Sequence, residues 1–106
     1  MRMYSPRQMS RSRAKVHFEQ DGSELKAIEV VRSGHSPVIV PLYRVLLGLG
    51  IVISTYQARP STGTLVERMV LQRSDGGSIG ARLSEETKAA ILPLVLEDES
   101  TESRYA

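Results

Sequence analysis

The sequence predicts an α+β fold in two layers, with the order strand, strand, helix, strand, strand, helix. Three observations carry that prediction. Residues 15–20 alternate apolar and polar ahead of an Asp-Gly turn, two later stretches are apolar on both parities, and a Leu-rich stretch at helical spacing ends in glycines. The segment 28–73 organises the rest, with an added strand before it and one covering helix after it.

At 106 residues the chain fits one domain with one hydrophobic core, and not two. Apolar residues make up 41% and charged residues 25%, ordinary values for a globular domain. With one Phe, no Trp and four Tyr, the core must be mainly aliphatic. Cysteine is absent, which excludes disulfides, thiolate metal sites and cysteine nucleophiles and is compatible with the cytoplasm. No apolar run approaches the roughly 20 residues that span a bilayer. The N-terminal arginines are not followed by an apolar region, so no secretory signal is read there.

The net charge of +2 is unevenly placed. Arg2, Arg7, Arg11, Arg13 and Lys15 stand without an acid near the start, while Glu97, Asp98, Glu99 and Glu102 face only Arg104 at the end. We therefore expect a disordered basic arm at 1–13, a folded domain at 14–96 and a disordered acidic tail at 97–106. Because the basic excess belongs to the arm, nucleic acid is not the expected partner of the folded body.

In order, Lys15-Val16-His17-Phe18-Glu19-Gln20 reads as a strand with one buried face, and Asp21-Gly22-Ser23 as a hairpin turn. Residues 25–32 form the returning strand. Leu25, Ala27 and Val31 lie on one parity and Ile28 and Val30 on the other, the pattern of a central strand. Ser33 to Pro37 breaks it into a loop. Ser36 and Pro37 suit a helix N-cap and first position, but Pro41 complicates that start, which falls at Pro37 or slips to about Val40.

Leu42, Val45, Leu46 and Leu49 share a helical face, and Gly48 and Gly50 end it, with Gly50 in the left-handed C-terminal position. Residues 51–59 form the next strand, Pro60 to Gly63 a turn, and residues 64–73 a third strand of the central unit. Ser74-Asp75-Gly76-Gly77 is a further turn. Ser84 is read as an N-cap with Glu85 and Glu86 in the first helical turn. Pro93 bends or stops that helix, leaving residues 94–96 as a final turn or a short edge strand, with the helix preferred.

Ile28-Glu29-Val30-Val31, Leu42-Tyr43-Arg44-Val45-Leu46, Leu49-Gly50-Ile51-Val52-Ile53-Ser54 and Gly63-Thr64-Leu65-Val66-Glu67-Arg68-Met69-Val70 together resemble an ACT domain. ACT domains are small regulatory modules of amino-acid-metabolic enzymes and nitrogen regulators. The resemblance covers about residues 25–96 and implies a ferredoxin-like two-layer sandwich. The family order is βαββαβ, with the last strand antiparallel to the first. Here the order is ββαββα, and we expect the N-terminal strand to replace the C-terminal edge strand.

The resemblance also implies a dimer, an amino acid or similar small metabolite as ligand, and a regulated partner enzyme. Its ligand crevice corresponds to Gly34, His35, Ser36, Gly50 and Val52. Two features depart from ligand-binding members. The loop at 34–40 lacks their Asp and the Gly beside the helix, and Val52 stands where many members carry Asn.

No catalytic site is expected, because His17 and His35 lie on different elements and no phosphate loop, nucleophile elbow or carboxylate pair is present. No metal or cofactor is expected either. Two functions follow: a stand-alone dimeric regulatory module that senses a small metabolite, or a ferredoxin-like module that binds protein or nucleic acid without a small ligand. The dimer reading rests on the central strands, whose uncovered face is expected to expose Val, Leu and Met.

Overall fold

A computed structural model describes residues 14–34 and 37–105, with side chains described as far as residue 96. The elements are β1 (Lys15–Asp21), β2 (Glu24–Ser33), α1 (Ile39–Gly48), β3 (Ile51–Ser61), β4 (Thr64–Arg73) and α2 (Ala81–Tyr105). They form a four-stranded antiparallel sheet in the order β1-β2-β4-β3, with two helices. The basic arm at 1–13 lies outside the described residues. Among the described residues no helix is long and apolar enough to cross a membrane.

Both helices pack on one face of the sheet. Leu25, Ile28 and Val30 of β2 and Met69 and Leu71 of β4 share one buried cluster with Leu42 and Leu46 of α1 and Ile91 and Val95 of α2. Alternation then turns the other parity of each strand to the open face. Leu25 belongs to the covered face although its spacing from Ile28 is odd. A register shift opposite Glu19 and Gln20 inserts one residue into β2, and the bulge resets the alternation.

Hairpin chemistry sets both edges. Asp21 pairs with Glu24 and Ser61 with Thr64, leaving two-residue turns at Gly22-Ser23 and Thr62-Gly63. The expected turn at 60–63 is therefore shorter than read, and Pro60 lies inside β3. Counting from the closing pair Ser61↔Thr64, Pro60↔Leu65 is a position without mutual hydrogen bonds, so the missing N–H points off the outer edge and breaks no ladder bond.

Helix α1 starts between the two expected positions, with Val38 as its N-cap. It ends as read: the Leu49 and Gly50 amides donate to Leu46 O and Leu47 O, and Gly50 takes φ +77°.

Helix α2 differs at both ends. It begins at Ala81, the Ser84 amide donates to Gly80 O at 2.8 Å, and no acid falls in its first turn. Ser84 is not an N-cap. Its fully buried hydroxyl accepts the Leu25 amide at 3.0 Å and donates to Ile79 O at 3.0 Å, bridging the start of β2 to the helix. The tethered β2 amide lies where β2 has parted from β4, past their last pair Ala27↔Val70, and it has to be satisfied from outside the sheet. Pro93 sits within α2, so residues 94–96 are helical, as preferred. The segment from Glu97, read as a disordered tail, continues α2 to Tyr105 in its backbone. Glu is a good helix former and can extend a helix already anchored upstream.

Candidate functional site

The loop between β2 and α1 is the place to begin, because the expected ligand crevice was centred there. The Gly34 amide donates a hydrogen bond to Gly63 O at 3.0 Å, tying the end of β2 to the β3–β4 turn. His35 and Ser36 lie outside the described residues. Gly50 and Val52 are not part of the same place. Gly50 O accepts the Ser74 amide at 2.9 Å, and Val52 pairs with Gln72, both at the opposite end of β4 from Thr64. The ten residues of β4 separate the two ends by about 30 Å at roughly 3.4 Å per residue. Val52 also points to the open face, since its neighbours Ile51 and Ile53 belong to the core cluster. Gly34 therefore does not share one crevice with Gly50 and Val52.

Against the Val38 amide lies a buried carboxylate. Glu67 of β4 is fully buried on the covered face, between Leu65 and Met69. The Val38 amide donates to both of its oxygens, at 3.0 and 3.1 Å, and the Tyr56 hydroxyl of β3 donates to it at 2.8 Å. The N-cap residue itself offers no side-chain acceptor, so the carboxylate from the sheet caps the helix. Arg32, 1% exposed, occupies a diagonal position: it pairs with Leu65, and Glu67 pairs with Val30 two residues back. Both side chains thus lie on the covered face of the sheet, on neighbouring strands.

Burial first, and then the Glu67 carboxylate, push the Tyr56 phenol up to about 12 from its ordinary 10.0. A folded value above the unfolded one means that protonated Tyr56 contributes its stability in full below about pH 10. That contribution is lost as pH rises from 10 to 12. We therefore expect wild-type protein to lose stability across this window more steeply than Tyr56→Phe. Denaturant midpoints measured at stepped alkaline pH check this, and parallel curves would refute it.

The open face differs from its expected character. Leu25, Leu65, Met69 and Leu71 all lie on the covered parity, leaving smaller apolar side chains such as Ala27, Val31, Val66 and Val70 on the open one. Across them runs an ion pair. Arg68 Nη2 lies 2.6 Å from Glu19 Oε1 and Nε 3.1 Å from Oε2, spanning β2 and covering Ala27. The Arg68 hydrogen bond holds the Glu19 carboxyl below the usual carboxylate value. Expecting Leu and Met there was wrong because β2 and β4 were each given two equivalent faces.

Among the described residues the exposed large apolar side chains lie on the helices: Val40, Tyr43 and Leu47 on α1, Leu92 and Leu96 on α2. A cavity of about 230 Å³ lies at the far end, where β2 and β4 part, with Glu24, Lys26, Gln72, Gly76 and Ser78 in its lining. The Glu24 carboxylate there is 3.1 Å from Lys26 Nζ. Among the described residues no group of three or more His, Cys, Asp or Glu is placed to hold a metal ion. The sequence matches no family model, no curated protein and no solved structure.

Proposed function

We propose that the chain is a non-catalytic regulatory module of the ACT type that acts by binding a macromolecule rather than by taking a small ligand at the 34–36 loop. The carrying observation is the Glu67 carboxylate seated on the α1 N-terminus. An anion-bearing metabolite entering from that loop would seek the Val38 amide, and the chain's own carboxylate already holds it with both oxygens. The strand order supports the ferredoxin-like assignment. Strand β4 lies between β2 and β3, the two arms of the crossover through α1, and β1 takes the outer side of β2, the edge that the family's last strand fills.

A thermal-shift screen against the twenty amino acids and common nucleotides tests this reading. A ligand at about a hundred times its dissociation constant adds roughly 2.7 kcal/mol, several degrees in a domain this small. We expect no such shift. One observation favours a second reading, in which a small polar metabolite is sensed: the cavity beside Glu24 and Lys26. A clear shift, with amide resonances moving at residues 24–26 and 76–79, would overturn the first reading for the second.

A further inference from the structure

We infer that the basic arm at 1–13 docks along residues 97–105 of α2 in the same chain, each covering the other's charge, a contact independent of the module reading above. α2 is helical in its backbone to Tyr105, although its sequence there opposes a helix. Residues 97–105 hold Glu97, Asp98, Glu99 and Glu102 against Arg104 alone. Asp98 and Glu99 stand four and three residues before Glu102, spacings at which like charges destabilise a helix. Arg104 stands four and three residues after Ser100 and Thr101, so it meets no acid at those spacings. Asp98, Ser100, Thr101 and Ser103 are also poor helix formers. The segment lacks a cation.

The fold brings one to it. α2 begins beside the β1–β2 turn, where Ser84 Oγ accepts the Leu25 amide at 3.0 Å and Lys88 Nζ donates to Gln20 Oε1 at 3.1 Å. From there it runs back along β1, and Val95 belongs to the core cluster against which Ala14 packs. Between residues 84 and 95 the helix rises about 17 Å at 1.5 Å per residue, close to the roughly 20 Å that the chain covers from Gln20 back to Ala14. The turns from Glu97 onward therefore project past the start of β1 by about 13 Å. The arm joins the fold at Ala14, at that same end. Fully extended, residues 1–13 reach about 45 Å, several times the length of helix to be covered.

Charge selects this target over the rest of the surface. Arg2, Arg7, Arg11 and Arg13 share the arm with no acid. On the folded body Glu19 is held by Arg68, Glu24 by Lys26, Asp75 by Arg73 and Glu85 by Lys88. The 97–102 segment gathers four acids without a base. Docked there, the arm is a masked cation, and an acidic macromolecule reaches its arginines only by displacing them from α2.

Paramagnetic broadening in the full chain tests the proposal. The chain has no cysteine of its own, so Ser5→Cys carries a single nitroxide label. At low ionic strength the amide resonances of residues 97–105 should broaden, and salt at about 1 M, where the screening length is about 3 Å, should restore them. Arg2→Gln, Arg7→Gln, Arg11→Gln and Arg13→Gln together should abolish the broadening and speed amide exchange at 97–105 by about tenfold, with the denaturation midpoint of the folded body unchanged. In a chain that also carries Glu97→Gln, Asp98→Asn, Glu99→Gln and Glu102→Gln, the arginine replacements should leave that exchange unchanged, because the repulsion is gone. Absence of broadening in the otherwise wild-type chain overturns the docking. Broadening that arises only between labelled chains and separate isotope-enriched ones places the arm on a second copy and overturns it too. Exchange at 97–105 that ignores the arginines overturns the electrostatic cause. A compound that shifts the thermal midpoint in the ligand screen bears on the module reading alone.

Discussion

Glu67→Ala should lower the stability of the domain by about 3–5 kcal/mol, because two buried donors lose their acceptor at about 1–3 kcal/mol each and the truncation adds a void. Three donated bonds disappear together: two from the Val38 amide and one from the Tyr56 hydroxyl. The first leaves the α1 N-terminus without its cap, the second strands a hydroxyl, and the truncation leaves a void. Glu67→Gln keeps the volume and one acceptor oxygen, so it should cost less, about 1–3 kcal/mol. Urea unfolding of the two variants beside wild type measures both. Equal stability of Glu67→Ala and wild type would mean that the carboxylate is no cap.

Two adjacent leucines should give opposite results. Leu46 is fully buried in the cluster between sheet and helices, while Leu47 is 46% exposed on the outer stripe of the same helix. Leu46→Ala should destabilise the fold by about 2–5 kcal/mol through lost burial and a residual cavity. Leu47→Ser should change stability by no more than about 0.5 kcal/mol, as a surface substitution does. Denaturant midpoints of the two variants beside wild type measure both effects. Matching losses of stability would show that Leu47 faces the core.

The order of elements was legible because each carries its own period. Alternation marked β1, the 42, 45, 46 and 49 spacing marked α1, and glycines with their turn partners marked the hairpins. Position in space was harder. A strand–helix–strand crossover leaves one sheet end through the loop before the helix and returns at the other end, which separates Gly34 from Gly50 by the length of β4. That follows from the predicted topology itself, and grouping the two glycines overlooked it.

The buried polar centre was also present in the sequence. Glu67 interrupts Leu65, Met69 and Leu71 at the covered parity of β4, and Arg32 follows Ile28 and Val30 at the covered parity of β2. Opposite charges placed inside two apolar registers of neighbouring strands were the available signal. Reading both parities simply as apolar hid it. Ser84 was misread for a different reason: a serine before two glutamates has the local composition of a helix start, and only the unsatisfied amide of a strand 59 residues away selects the other role.

The two hairpins have a bearing on how the chain reaches this shape. Each edge strand is joined to its inner neighbour by a turn of two residues, so both of those pairings form locally, on the microsecond scale of isolated hairpins. Only the union of β2 with β4 joins strands remote in the chain, across the segment that holds α1 and β3. Loop-closure entropy is therefore met once. Had the outer strand followed α2 instead of preceding β2, a second remote closure would have been needed. Moving that strand to the front of the chain keeps the four-stranded sheet and lowers the mean sequence separation of its contacts, the quantity on which folding speed depends most strongly in small domains.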